Sequence, residues 1–318
     1  MNAAFESKLN ADLAALKTAG TYKQLRHLTT PMAAHAHMEE AGDVIVLSSN
    51  NYLGLADDPD VVAAGKAALD RYGAGTASVR FICGTFDLHR QLEEKIASFF
   101  GFESALSYVS CWTANEGLLP TIGLKGNSLI SDELNHASII DACRLAGAKR
   151  LRYKHGDMAD LEAQLRAAEG TPIIVTDGVF SMEGDIAKLP AIVALAERYG
   201  AVTVVDDSHG TGVMGDTGRG TIEHYGLTGK IDIITGTLGK ALGGAVGGFV
   251  AGSHALVDTL VQRSRTQLFS NALPATVAAS ALRAIEILDA HPELVAKQHD
   301  NVAYLRAGLT RLGFKPLD

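Results

Sequence analysis

Two segments constrain this chain more than any other feature. In Val204-Val205-Asp206-Asp207-Ser208-His209-Gly210 a carboxylate and an imidazole stand where the apolar run 201–205 gives out. In Thr235-Gly236-Thr237-Leu238-Gly239-Lys240-Ala241 one lysine sits in a glycine turn behind a second apolar run, 231–235. Short apolar runs ending in chemistry-bearing residues are the mark of buried strands, whose carboxyl ends alone are open to ligands. The rest of the chain keeps the same rhythm. Strand-like runs lie at 105–108, 128–131, 150–153, 172–177, 201–206, 231–235 and 246–251, and helical stretches at 113–119, 138–145, 158–168 and 189–199 fill most of the gaps. That alternation predicts an α/β fold with a mostly parallel, helix-covered sheet.

Ahead of this region, Phe5, Leu9, Leu13 and Leu16 recur at helical spacing within the first 20 residues, and 44–47 reads as a short strand. Pro59 opens a helix reaching about Tyr72, with Asp57 or Asp58 as its N-cap, and another helix spans 88–100 behind the glycine-rich stretch 73–84. From Ser253 onward the pattern is mostly helical, with long stretches at 276–290 and 292–312. The expected division is an N-terminal segment, 1–50, a large domain, 51–275, and the start of a smaller C-terminal domain, 276–318. Residues 313–318 read as a turn out of a helix toward a further strand, an expectation that the small domain is present only in part.

Bulk properties exclude several classes. Of 318 residues 47% are hydrophobic and 20% charged, which excludes a disordered chain. The formal charge of −8, without a basic stripe, argues against nucleic acid as partner. No apolar run approaches the ~20 residues that span a bilayer, and the amino-terminal residues do not read as a signal peptide. Cys83, Cys111 and Cys143 are too few and scattered for a disulfide framework, and no CxxC offers a zinc site. The expectation is a reduced cytoplasmic protein without membrane, nucleic-acid or metal partners.

The chemistry follows from residue types at strand ends. A lysine among Gly239, Gly243, Gly244, Gly247 and Gly248 would be costly to keep charged, so Lys240 should be a nucleophilic amine. A phosphate-binding P-loop fails here, because Ile234 stands where it needs its first glycine and Ala241 where it needs Ser or Thr. Asp206, behind an apolar run, calls for a cationic partner such as a pyridinium nitrogen. Acid, imidazole and lysine together suit pyridoxal phosphate, with the lysine bonding the aldehyde and His209 reaching the ring hydroxyl. His136, past the strand 128–131, is placed to stack on a flat ring or act as an acid, while Ser138 is the expected N-cap beside it. Ser181 is a further strand-end polar group, and Asp177 reads equally as a loop carboxylate or a ligand. Ser110-Cys111-Trp112-Thr113-Ala114-Asn115 follows a strand and opens a helix, a setting for phosphate, with Thr237 and Ser270-Asn271 as further candidates. Trp112, the single tryptophan, reads as a ring-flanking aromatic or as core packing.

Asp206-x-x-His209 with Thr237-Leu238-Gly239-Lys240 and Asn135-His136 resembles the α-oxoamine synthases, fold-type I pyridoxal-phosphate enzymes with the aspartate aminotransferase architecture. Ala77-Ser78-Val79-Arg80-Phe81-Ile82-Cys83-Gly84-Thr85 and 232–244 look most like its glycine C-acetyltransferase branch. The resemblance spans the chain and implies a cytoplasmic homodimer that condenses glycine with acetyl-CoA to 2-amino-3-oxobutyrate and CoA, in threonine catabolism. It implies Lys240 as the cofactor-bonding lysine and proton-transfer base, and Asp206 on the ring nitrogen. His209 would contact the ring hydroxyl with Ser181 beside it, and His136 would stack over the ring. Cys111, Trp112 and Thr237 would hold the phosphate, Ser270 and Asn271 would reach into the partner's site, and Asn50 would orient the substrate carboxylate. Family members carry an arginine for that carboxylate in the C-terminal domain, beyond the last residue here, so the resemblance also implies a truncated chain with impaired turnover. Other acyl-CoA or amino-acid substrates and a non-catalytic dimer partner are the alternatives within this group. A dinucleotide-dependent oxidoreductase would want a Gly-x-Gly-x-x-Gly turn after the first strand, whereas the glycines here trail a late lysine.

Overall fold

Local signals set the elements. In a computed structural model describing residues 2–316, the Asp58 carboxylate accepts the Asp60 and Val61 amides to open the helix Pro59–Tyr72 with proline in its first turn. Asp157 does the same for Met158–Arg166, and Ser253 for His254–Arg263. The chain divides into two units, Met1–Leu47 and Ser48–Asp318. In the first, the helix Ala3–Thr18 buries none of its residues. The single strand expected at 44–47 is instead an antiparallel hairpin of β1, His35–Met38, and β2, Gly42–Ile45.

The second unit holds the large sheet. Its strands are β3 (Ser104–Tyr108), β4 (Ser128–Asp132), β5 (Lys149–Tyr153), β6 (Pro172–Asp177), β7 (Val202–Asp206), β8 (Ile233–Thr237) and β9 (Gly248–Gly252). Their spatial order is β3-β9-β8-β7-β6-β4-β5, and β9 alone runs antiparallel to its neighbours. Two expected boundaries shift along the chain. The β8 ladder begins at Ile233, because Asp232 spends its side chain on the Thr203 amide and hydroxyl, at 2.7 and 2.8 Å. The β9 ladder begins at Gly248, because Gly247 holds φ +117°, outside the strand region.

Period two sorts the strand residues to both faces. Ala105, Ile130, Ile174, Val205, Ile234 and Ala251 join one buried cluster with the helices Asp87–Phe100, Leu189–Tyr199 and Ala275–Ala290. Leu106, Leu129, Ile173, Val204, Ile233 and Val250 join the other with the helices Cys111–Ile122, Ala137–Leu145 and His254–Arg263. Burial on both faces explains why these strands read as apolar runs rather than alternating ones. The helix Ala275–Ala290 presents Ala278, Ala281, Ile285 and Leu288 to the first cluster, while Glu293–Arg311 buries only Val295. Residues 314–316 join no element, and Leu317 and Asp318, the end of the expected turn, lie outside the described residues. Among the described residues no helix is long and apolar enough to cross a membrane.

Leu92 has no exposed surface, whereas Leu69 is 47% exposed on its helix. Leu92→Ala is therefore expected to cost about 2–5 kcal/mol in urea unfolding, and Leu69→Ala under ~1 kcal/mol.

Candidate active site

Strands β4, β6, β7 and β8 run parallel, so Asp132, Asp177, Asp206 and Thr237 finish at one edge of the sheet. The loops beyond them carry His136, Ser181, His209 and Lys240, and the helix Cys111–Ile122 starts across from them. Together they wall a cavity of about 220 Å³ that takes in Cys111, Trp112, His136, Asp177, Ser181, Asp206, His209, Thr237 and Lys240. Every predicted site residue except Asn50, Ser270 and Asn271 lines it.

The floor is acidic and dry. Asp206 is 4% exposed, and its Oδ2 accepts from Asn115 Nδ2 at 2.7 Å and Cys111 Sγ at 3.5 Å, its Oδ1 from the Ser208 amide at 3.1 Å. All of these donors are neutral. Asp177 stands beside it as its register partner on β6, buried, and accepts the His136 amide at 2.6 Å. Burial, then the Asp206 charge, holds the Asp177 carboxyl well above the usual carboxylate range. Burial likewise pushes the Cys111 thiol far up, so it is a packing group rather than a nucleophile. Asp207 points away from this cavity, and both its oxygens bind Thr221, at 2.7 Å to the amide and 2.9 Å to the hydroxyl.

Lys240 reaches in from the turn behind β8, its Nζ 2.8 Å from His209 Nε2. Burial lowers its pKa against the opposing pull of Asp206. Burial and the Lys240 charge bring His209 down to about 4, so the imidazole is neutral at pH 7. Its Nδ1 lies 2.8 Å from the Tyr52 hydroxyl. Tyr52 also donates to Asn50 Oδ1 at 3.2 Å, which joins Asn50 through Tyr52 to His209 on the cavity wall, although Asn50 does not line the cavity.

His136, not Ser138, caps the helix Ala137–Leu145: its Nδ1 accepts the Ser138 amide at 3.3 Å and lies 2.8 Å from the Ser138 hydroxyl. Asn115 Nδ2 donates to that hydroxyl at 3.0 Å as well as to Asp206, so the cap and the buried acid share one amide. Trp112 does not belong to the core: it is 39% exposed, donates to Glu116 at 2.8 Å and sets its ring edge-on to His136 at 5.8 Å. At the cavity's other end the first turn of the helix Cys111–Ile122 leaves the Cys111 and Trp112 amides without intrahelical partners. Strand β9 packs so close that a Cβ on Gly248 would overlap the Cys111 amide nitrogen. Thr237 Oγ1 accepts the Gly239 amide at 3.0 Å and donates to the Gly247 carbonyl at 3.2 Å, tying the lysine turn shut. Ser270 and Asn271 lie apart, where Asn271 forms an isolated bridge with Val79.

Residue patterns do not single out Tyr52 or Ser138 as site groups. Asn115 enters only as the last residue of the helix start assigned to phosphate, not as a partner of Asp206.

Pyridoxal phosphate fits this donor set. The buried Asp206 carboxylate has only neutral hydrogen-bond partners and faces a cavity, as a protonated ring nitrogen requires. Open amides at a helix N-terminus suit a phosphate, and a depressed lysine suits an aldehyde.

The family model for aminotransferase class I and II matches residues 42–318. The chain is 48% identical to an 8-amino-7-oxononanoate synthase from Symbiobacterium thermophilum, over 95% of this chain and 78% of that protein. It is 46% identical to 2-amino-3-ketobutyrate coenzyme A ligase from Escherichia coli, over 99% of this chain and 80% of the relative. Among solved structures, serine palmitoyltransferase from S. paucimobilis, with a bound adduct of PLP and myriocin, superposes with a TM-score of 0.92 at 34% identity. That match covers 99% of this chain and 80% of the other.

Burial pushes the Asp207 carboxyl up to about 7, against ~3.9 in an unfolded chain. Between those values the folded protein binds the extra proton, so this group's contribution falls as pH rises, by up to ~1.4 kcal/mol per unit. Asp207→Asn is expected to reduce the decline in unfolding free energy between pH 4 and 7 by that slope, measured by denaturant titration.

Proposed function

Because the chain belongs to the aminotransferase class I and II family and is a pyridoxal-phosphate-dependent acyltransferase of fold type I, we propose that it condenses glycine with acetyl-CoA, giving 2-amino-3-oxobutyrate and CoA. The observation that carries this choice is 46% identity to a 2-amino-3-ketobutyrate coenzyme A ligase over 99% of the chain, beside the Ser78-to-Thr85 segment. When bound, the cofactor supplies an aldehyde for the substrate amine and a protonated ring that draws electrons from its α-carbon.

The protein's own groups do the rest. Asp206 would keep the ring nitrogen protonated, since its own hydrogen-bond donors are neutral. The amides of Cys111 and Trp112, with Thr237, would hold the phosphate; His136 would flank the ring, and His209 and Ser181 would serve its hydroxyl. Lys240 takes the α-proton of glycine as a general base, a role its lowered pKa supports. A C–C bond then forms to the acetyl carbon as its C–S bond breaks, and coenzyme A leaves as the thiol. Asn50, held by Tyr52, orients the glycine carboxylate. Ser270 and Asn271 serve a second copy's site in a homodimer.

The same cavity admits a second reading, condensation with another acyl-CoA or amino acid, favoured by 48% identity to an 8-amino-7-oxononanoate synthase. Release of free CoA thiol from acetyl-CoA, measured with and without glycine in the presence of pyridoxal phosphate, separates the two. Glycine-dependent release, reduced more than ~100-fold in Lys240→Ala, is the expected result. Faster release with a longer acyl-CoA or a larger amino acid would replace the acetyl and glycine assignment.

A further inference from the structure

His155 stands in the loop behind β5, outside the cavity wall, with both ring nitrogens on carboxylate oxygens. Nδ1 lies 3.0 Å from Asp132 Oδ1, and Nε2 lies 2.9 Å from Asp185 Oδ2. An ionised carboxylate only accepts, so both contacts are hydrogen bonds only if both nitrogens carry protons. A proton shared between a carboxyl and an imidazole rests on the imidazole, whose ordinary pKa is higher by about 2.6 units. Asp132 also accepts the Leu134 amide at 2.9 Å and the Gly156 amide at 3.1 Å, so N–H donors already face both its oxygens. Burial opposes the charge on His155, yet the bonds to Asp132 and Asp185 outweigh it and raise the His155 pKa.

The two acids belong to different walls of the cavity. Asp132 ends β4, and the loop that begins there delivers His136. Asp185 belongs to the turn 178–187, which is closed by a Val179–Ile186 bridge and by the Phe180 amide on the Asp185 carbonyl at 3.0 Å. Ser181 lines the cavity from that turn, and among the described residues no hydrogen bond fixes its hydroxyl, so the turn's backbone sets its place. The His155 ring also meets Phe180 of the same turn edge-on at 4.5 Å.

We infer that His155 is a positioning residue: as an imidazolium it clamps the turn carrying Ser181 to the strand end that leads to His136, and the clamp opens when it loses its proton. Its bearing on the cofactor rests on the reading of Ser181 as a group at the ring hydroxyl. Without the second proton, one nitrogen faces a carboxylate lone pair to lone pair. Asp132 has a side chain 2% exposed and held by two amides, whereas that of Asp185 is 46% exposed and can turn to water. The Asp185 contact is therefore the one released. The clamp is whole below the His155 midpoint and is lost as pH rises through it. The other titratable groups around His155 are Glu133, whose carboxylate accepts the His155 amide at 2.9 Å, the buried Tyr153 phenol, and Lys188, whose Nζ donates to the Gly156 carbonyl at 2.9 Å. The helices Met158–Arg166 and Leu189–Tyr199 bring only Met158 and Ile192 to this hollow.

The test follows isotope-labelled histidines of the full chain by NMR across pH, with His155 assigned by its loss in His155→Gln or its displacement in Asp185→Asn. Both ring nitrogens are expected to report as protonated below a midpoint that lies above ~6.5. Asp185→Asn keeps an acceptor without the charge and is expected to lower that midpoint by about one unit. In hydrogen exchange, corrected for the chemical rate at each pH, protection of 178–187 is expected to fall about tenfold across the midpoint and to be already lost in Asp185→Asn. Neither readout needs the cofactor. On addition of pyridoxal phosphate, the affinity read from the visible band is expected to fall severalfold in Asp185→Asn, but not when Ser181→Ala is already present. A His155 midpoint at or below ~6.5, protection of the turn that ignores it, or an equal loss of affinity in both backgrounds would overturn the inference. No visible band with the parent protein would instead defeat the cofactor reading, and the first two readouts then decide the clamp.

Discussion

Two carboxylates side by side at the rim of a dry sheet are the condition to which the rest of the site answers. Asp177 and Asp206 are register partners on β6 and β7, each with almost no contact with water. Two like charges so placed cannot both stay ionised without compensation. The protein satisfies them with neutral donors: the His136 amide for Asp177, and Asn115, Cys111 and the Ser208 amide for Asp206. Each donor fixes a further element. The His136 amide anchors the start of one helix, Asn115 ties another helix to that cap, and Ser208 sets the turn leading to His209. Among the described residues no cation is hydrogen-bonded to either carboxylate.

Much of this was legible in the sequence. The apolar runs announced both-face burial, and the alternation announced the parallel sheet. Lys240, Asp206, His209 and His136 could be named because each ends a strand or follows one within four residues. The reversal of β9 was not drawn from the sequence, although residues 238–247 are fewer than a parallel crossover needs, which is about a dozen or more. Less legible was anything that depends on register. Asp177 reads as a loop acid until β6 is aligned with β7, and Asn115 reads as an interior helix residue until that helix is laid against Asp206. Tyr52 is remote from His209 along the chain, and only the folded turn at 50–54 brings its hydroxyl there. The hairpin in 35–45 was missed because its first strand, His35-Ala36-His37-Met38, buries a single alanine.

The reversed strand has a mechanical consequence. Because β9 returns antiparallel beside β8, the turn that carries Lys240 has both its ends clamped in adjacent ladder positions, Thr237 opposite Gly248. The same return lays Gly248 against the amide of Cys111. The amine and the first amides of that helix are thus mounted on one short backbone frame, not on separate flexible arms. Their spacing has the stiffness of the sheet, and a group held at both ends is gauged by the backbone before any side chain adjusts.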